Sequence, residues 1–148
     1  MKQLLKCLSI IIPLSLSAQI QVDDVGEGWR DCVYEALSVI QKHDVVKYDM
    51  LIKSCNHIGY WNGRFSTTEG SAILICNTEM NAKCVNDVAA VLVHESMHLH
   101  IKQSKIQLSA TAEETVCYLY ELEFLSNIPN VEPWLIRHAM HQLDVLRK

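Results

Sequence analysis

The sequence predicts a helix-rich α+β domain, with a small β-sheet ahead of its central helix and two helices after it. Three observations point there. Apolar residues recur at helical spacing through several long segments, one short aliphatic run lies between the turn residues Gly70 and Asn77, and Gly and Pro number only 5 and 3 in 148 residues. Hydrophobic residues make up 49% and charged ones 20%, the composition of a folded chain and not of a disordered tail. A chain of 148 residues supports one core of ordinary size but not two.

Taken in order, residues 1–18 read as an export signal: Lys2 and Lys6 are followed by an apolar stretch at 8–16 and by the small residues of Ser15-Leu16-Ser17-Ala18. The expected mature chain is a single domain, 19–148, in the periplasm or secreted. The apolar stretch is about a dozen residues where a spanning helix needs about 20, so no stable membrane insertion is expected after cleavage. Cys7 is not read as a lipidation site, because Lys6 stands where a small residue would be wanted.

Val33, Ala36, Leu37 and Ile40 recur at helical spacing, predicting a first helix over 29–41. Residues 48–58 suit a short helix or a strand equally. Gly59, Gly63, Gly70 and the polar residues between them give 59–70 a loop composition. The run Ser71-Ala72-Ile73-Leu74-Ile75-Cys76 is the best strand in the chain. A helix beginning between 81 and 87 and ending near 103 follows; residues 88–93 are apolar on every face, so it is buried. A polar connection leads to a helix over 112–125, and 132–146 forms a last amphipathic helix with Pro133 in its first turn.

The charge is acidic. Loss of the signal removes Lys2 and Lys6, so 13 basic residues less these two stand against 17 acidic ones, a net charge of −6. Such a chain lacks the clustered bases that displace counterions from nucleic acid, and no nucleic-acid partner is expected. In an oxidising compartment some of Cys32, Cys55, Cys76, Cys84 and Cys117 are expected to form disulfides, with one thiol left over. A zinc-thiolate cluster is disfavoured, because the cysteines are scattered and no C-x-x-C pair occurs.

The chemistry concentrates in His94-Glu95-Ser96-Met97-His98. Residues four apart share a helix face, so His94 and His98 can present both imidazoles to one ion. Glu95 sits beside them, placed to take a proton from a metal-activated water as general base. Chance produces such a string in about two sequences in a hundred of this size and composition. Here it falls at the end of a buried helix, where two imidazoles and a carboxylate need a partner and a metal suits all of them. The competing reading is a satisfied histidine pair with a solvated Glu95. His100 is rotated off the ligand face.

A catalytic zinc needs a third protein ligand and an open position. Ile101 and Ser104 occupy the places where a metzincin carries Gly and a third His, which excludes that class. Glu113-Glu114-Thr115-Val116-Cys117-Tyr118 opens the next helix instead. Together with the run from Val88 to Glu95, the pattern Glu114-x-x-Cys117-Tyr118 resembles the core of compact bacterial gluzincins, the zincins whose third ligand is a Glu on the helix after the motif helix. In that group the residue three positions after this Glu is usually Ala, where Cys117 stands here, and the interval from His98 to Glu114 is short for the group.

The resemblance covers residues 73–125 and implies a zincin-like fold, one Zn2+ per chain on His94, His98 and Glu114, and hydrolysis of a peptide or protein substrate. Glu113 is the alternative third ligand. A helical wheel puts it with Val116, Tyr120 and Phe124, whereas Thr111-x-x-Glu114 matches a capping box that would employ Glu114 on the backbone. His138 and His141 read as solvated surface residues, with a contribution of one of them to the cleft as the alternative. Tyr118 reads as core or as an oxyanion donor. A non-catalytic zinc-binding or protein-binding domain on the same scaffold is the alternative function.

Overall fold

A computed structural model describes residues 20–26, 28–76 and 84–148. The expected signal at 1–18 lies outside them. Among the described residues the chain forms five α-helices and one four-stranded sheet, in the order β1 (Gln21–Val22), α1 (Trp29–His43), α2 (Val45–Ser54), β2 (His57–Trp61), β3 (Thr67–Glu69), β4 (Ala72–Cys76), α3 (Val85–Gln103), α4 (Ala110–Asn127) and α5 (Pro133–Leu146). The helix-rich α+β class holds, with the sheet before the motif helix and two helices after it. No described helix is long and apolar enough to cross a membrane.

The ambiguous stretch resolves into both of its options. Asp44 accepts a hydrogen bond from Lys47 N at 3.1 Å and starts α2, and β2 begins two residues past the helix's Cys55 cap. The segment expected as loop, 59–70, carries most of β2 and all of β3. Its glycines serve strands as well as turns. A Cβ at Gly59 would lie 2.9 Å from Leu74 Cδ2 and 3.0 Å from Asp23 Oδ2, so a side chain there would displace the ends of both. Gly70, at φ 58°, and Ser71 close the two-residue hairpin between β3 and β4, with the positive φ at the position where such a turn needs it.

The sheet order is β1-β2-β4-β3; β1, β2 and β4 are parallel and β3 runs antiparallel to β4. The best strand of the sequence, β4, is therefore interior, and β3 forms the edge. Ile58, Ile73 and Ile75 turn inward and are fully buried.

Helix α3 runs through the middle of the helical layer, packed by α1, α2 and α4. Val88, Ala89, Ala90, Leu92 and Val93 are all buried, as an all-round apolar helix requires. Phe124 and Leu125 of α4 and Leu135 of α5 close the core from the other side. Each such side chain stabilises the fold by about 1.5–3 kcal/mol relative to exposure. Buried Lys47 ties α2 to α4: its Nζ is 2.7 Å from Glu123 Oε2, 3.3 Å from Asp44 Oδ2 and 4.0 Å above the Tyr120 ring. These contacts satisfy a charge that would otherwise be costly to bury.

Among the described residues none of the expected disulfides is formed: Cys32, Cys55, Cys76, Cys84 and Cys117 are all buried and none is bridged to another. They belong to α1, the end of α2, the end of β4, the start of α3 and α4; Cys55 Sγ donates to His57 O at 3.1 Å.

Candidate metal centre

His94 and His98 project from one side of α3 toward α4, with ring centroids 5.1 Å apart. The acidic residues that meet them come from α4, whose beginning fixes their direction. Ser109 caps that helix, accepting from Ala112 N at 3.2 Å. The cap lies two residues before Thr111, so the capping-box role considered for Glu114 disappears and its side chain is turned to the histidines.

The ring nitrogens divide by side. His94 Nε2 is 3.4 Å from Glu114 Oε2 and His98 Nε2 is 3.3 Å from Glu114 Oε1, so one carboxylate spans both rings. On the opposite side, His98 Nδ1 donates to Glu113 Oε1 at 2.6 Å and His94 Nδ1 donates to Glu121 Oε2 at 3.0 Å. Glu113, the alternative third ligand, thus stands behind His98, on the far side of the ring from Glu114.

Glu121 has no counterpart in the sequence reading. It lies seven residues after Glu114, two turns along the same face of α4, and is 6% exposed in a helix that is otherwise apolar there. That spacing is the signal that could have found it. Tyr118 lies between them and sets its ring edge-on against His94, with centroids 4.5 Å apart.

Glu95 is 7% exposed and lines the same cleft as the histidines, an open groove of about 1190 Å³. Its floor is α3. One wall is α4 with Glu113 and Glu114, another is β3 with the loop before it, and Trp134 and His138 of α5 border the end. His138 is exposed yet reaches the cleft, so the alternative considered for it is realised; His141 is an exposed residue outside the lining.

The site surrounds two imidazoles with carboxylates. Burial disfavours charge on His94, but hydrogen bonds to Glu114 and Glu121 outweigh it and lift its pKa to about 9. Burial opposes charge on His98 too, and Glu114 and Glu113 overcome it. Glu114, hydrogen-bonded to His94 and then His98, is held well below the usual carboxylate range. In a metal-free chain protons take the cation's place, and a divalent ion must displace them.

Cys117 offers a competing donor. A nitrogen of His94, a nitrogen of His98 and Cys117 Sγ lie within 4.8 Å of one another, so these three residues form a group able to hold a metal ion. The thiol is completely buried, and burial followed by the charges of Glu114, Glu113, Glu95 and Glu121 pushes its pKa far up. Only the thiolate is a strong ligand, so an ion held through sulfur has to displace the thiol proton, as it has to displace those of the two imidazoles.

No known protein family, curated protein or solved structure gives a match to the chain.

Proposed function

We propose that the chain is an exported zinc-dependent peptidase in which His94, His98 and Glu114 hold one zinc ion and Glu95 acts as general base. The observation that carries this reading is the Glu114 carboxylate lying 3.4 Å and 3.3 Å from the two Nε2 atoms while both Nδ1 atoms are taken by other carboxylates. Carboxylates on the outer nitrogens fix the ring tautomers and leave Nε2 of each ring as the donor, the support that metal-binding histidines usually have.

Two imidazoles and one carboxylate are a donor set that suits zinc and leaves a coordination position open. Zinc bound there would supply a Lewis acid, polarising an amide carbonyl and lowering the pKa of a water. Glu95, adjacent to both ligands in the cleft, takes the proton of the attacking water and passes it to the leaving nitrogen. Tyr118 packs its ring edge-on against His94. Thr67 and Thr68 of edge strand β3 line the cleft, where an extended peptide can pair with the strand's main chain.

The Cys117 group supports a second reading, a structural metal site held by His94, His98 and Cys117 in place of Glu114, with no hydrolytic role. Zinc content and cleavage of a peptide library, measured for wild type and Glu95→Gln, separate the two. Zinc-dependent cleavage lost in Glu95→Gln supports the peptidase. Full zinc occupancy without cleavage in either protein supports the structural site, and equal cleavage by both removes Glu95 from the mechanism.

A further inference from the structure

We propose that Lys102 is a specificity residue of this cleft, binding a carboxylate of the substrate close to the scissile bond; the substrate role rests on the peptidase reading above. Lys102 follows His98 by one helical turn and His94 by two, so α3 carries it along the side that bears the histidines. Its ammonium donates to Thr68 Oγ1 of β3 at 2.5 Å, which holds the charge at the seam between the cleft floor and the edge strand. Among the described residues that neutral hydroxyl is its hydrogen-bonding partner, and no carboxylate neutralises it.

A positive group here sits across from a negative wall. Glu113 and Glu114 line the α4 side and Glu95 the floor, whereas the β3 side presents Arg64 and uncharged Ser66, Thr67 and Thr68. A substrate carboxylate near β3 is drawn to Lys102, and a substrate ammonium there is repelled by it. One helical turn rises about 5.4 Å and an extended peptide advances about 3.3 Å per residue. Lys102 therefore addresses a group one or two residues from the bond that faces His98. That group is either an acidic side chain or the free C-terminal carboxylate of a short peptide; both are the same chemistry to an ammonium.

The test keeps binding apart from cleavage. Fluorescent peptides carrying Asp, Asn or Lys near a central amide, and matched peptides with free or amidated C-termini, are titrated into the zinc-supplemented Glu95→Gln chain by anisotropy. Cleavage of the same peptides by wild type is followed separately. A carboxylate peptide should bind about fivefold more tightly than its uncharged match, the scale of a solvent-accessible ion pair. This preference should vanish when Lys102→Gln is added, survive in Lys102→Arg and turn toward the Lys peptide in Lys102→Glu. Dependence on Asp identifies an acidic side chain, and dependence on the terminus identifies a chain end. Equal binding of charged and uncharged peptides, a preference that survives Lys102→Gln, or no peptide binding would overturn the proposal. Carboxylate-selective binding through Lys102 without wild-type cleavage would leave this assignment standing and sink the peptidase reading.

Discussion

Glu113 and Glu114, consecutive on α4, contact opposite nitrogens of one imidazole: Glu113 Oε1 is 2.6 Å from His98 Nδ1 and Glu114 Oε1 is 3.3 Å from His98 Nε2. Adjacent residues on a helix diverge by about 100°, and the His98 ring fills the angle between them. Chemically similar neighbours thereby acquire different tasks. One holds the ring and the other shares the space in front of it with His94.

Substitution should separate those tasks. Glu114→Ala removes a direct ligand and should abolish stoichiometric zinc binding at neutral pH. Glu113→Gln and Glu121→Gln leave the ligands in place but loosen the rings, and each should weaken zinc by about 10–100-fold. Competition with a chromogenic chelator measures all three. Wild-type affinity in Glu114→Ala would remove that residue from the ligand set.

Glu95→Gln should bind zinc as wild type does and lose about 10²–10⁴-fold in kcat, the usual contribution of a positioned general base. Steady-state cleavage of a quenched fluorescent peptide, with metal analysis of the same preparation, reads both quantities. A loss of zinc in this variant would show that Glu95 acts on the metal site itself.

The metal-free chain should lose stability as the pH rises from about 6.5 to 9. His94 is raised from 6.5 to about 9 in the folded chain, against its burial, by Glu114 and Glu121. A raised pKa contributes stability that is full below the unfolded value and vanishes as pH climbs through the folded one. Glu114 is depressed, so its contribution is present above about 4.5 and is lost as pH falls through its lowered value. Urea midpoints of metal-free wild type should therefore fall over the alkaline window, and those of His94→Gln should fall less. Zinc affinity should rise over the same window, because binding expels the protons.

Cys117→Ala should retain zinc and activity. It deletes a buried thiol within 4.8 Å of a nitrogen of each histidine and leaves the Glu114 carboxylate across their Nε2 atoms. Cys117→Ser places a hydroxyl in the same completely buried position and should cost about 1–3 kcal/mol of stability if it finds no hydrogen-bond partner. Thermal unfolding and metal content of both variants check this, and loss of zinc in Cys117→Ala would favour the sulfur-ligated site.

Helical period made much of this legible in the sequence. His94 and His98 share a face because they are four residues apart, and all of 88–93 but the cleft-lining Val91 is buried, as an uninterrupted apolar run requires. Strand β3 was not legible, since Thr67-Thr68-Glu69 is too short and polar to show alternation and is held by pairing with β4. Glu121 was legible only in part: its spacing from Glu114 puts both on one face of α4, but its pairing with His94 depends on how α4 crosses α3, which one helix's sequence does not contain. The ordering of Glu113 and Glu114 likewise awaited the cap at Ser109.

The most direct test is the X-ray absorption spectrum of the zinc-loaded chain at the zinc edge. The account predicts two imidazole nitrogens and oxygen donors at about 2.0–2.2 Å with no sulfur neighbour. A sulfur shell at about 2.3 Å, or a chain that retains no zinc to examine, would contradict it.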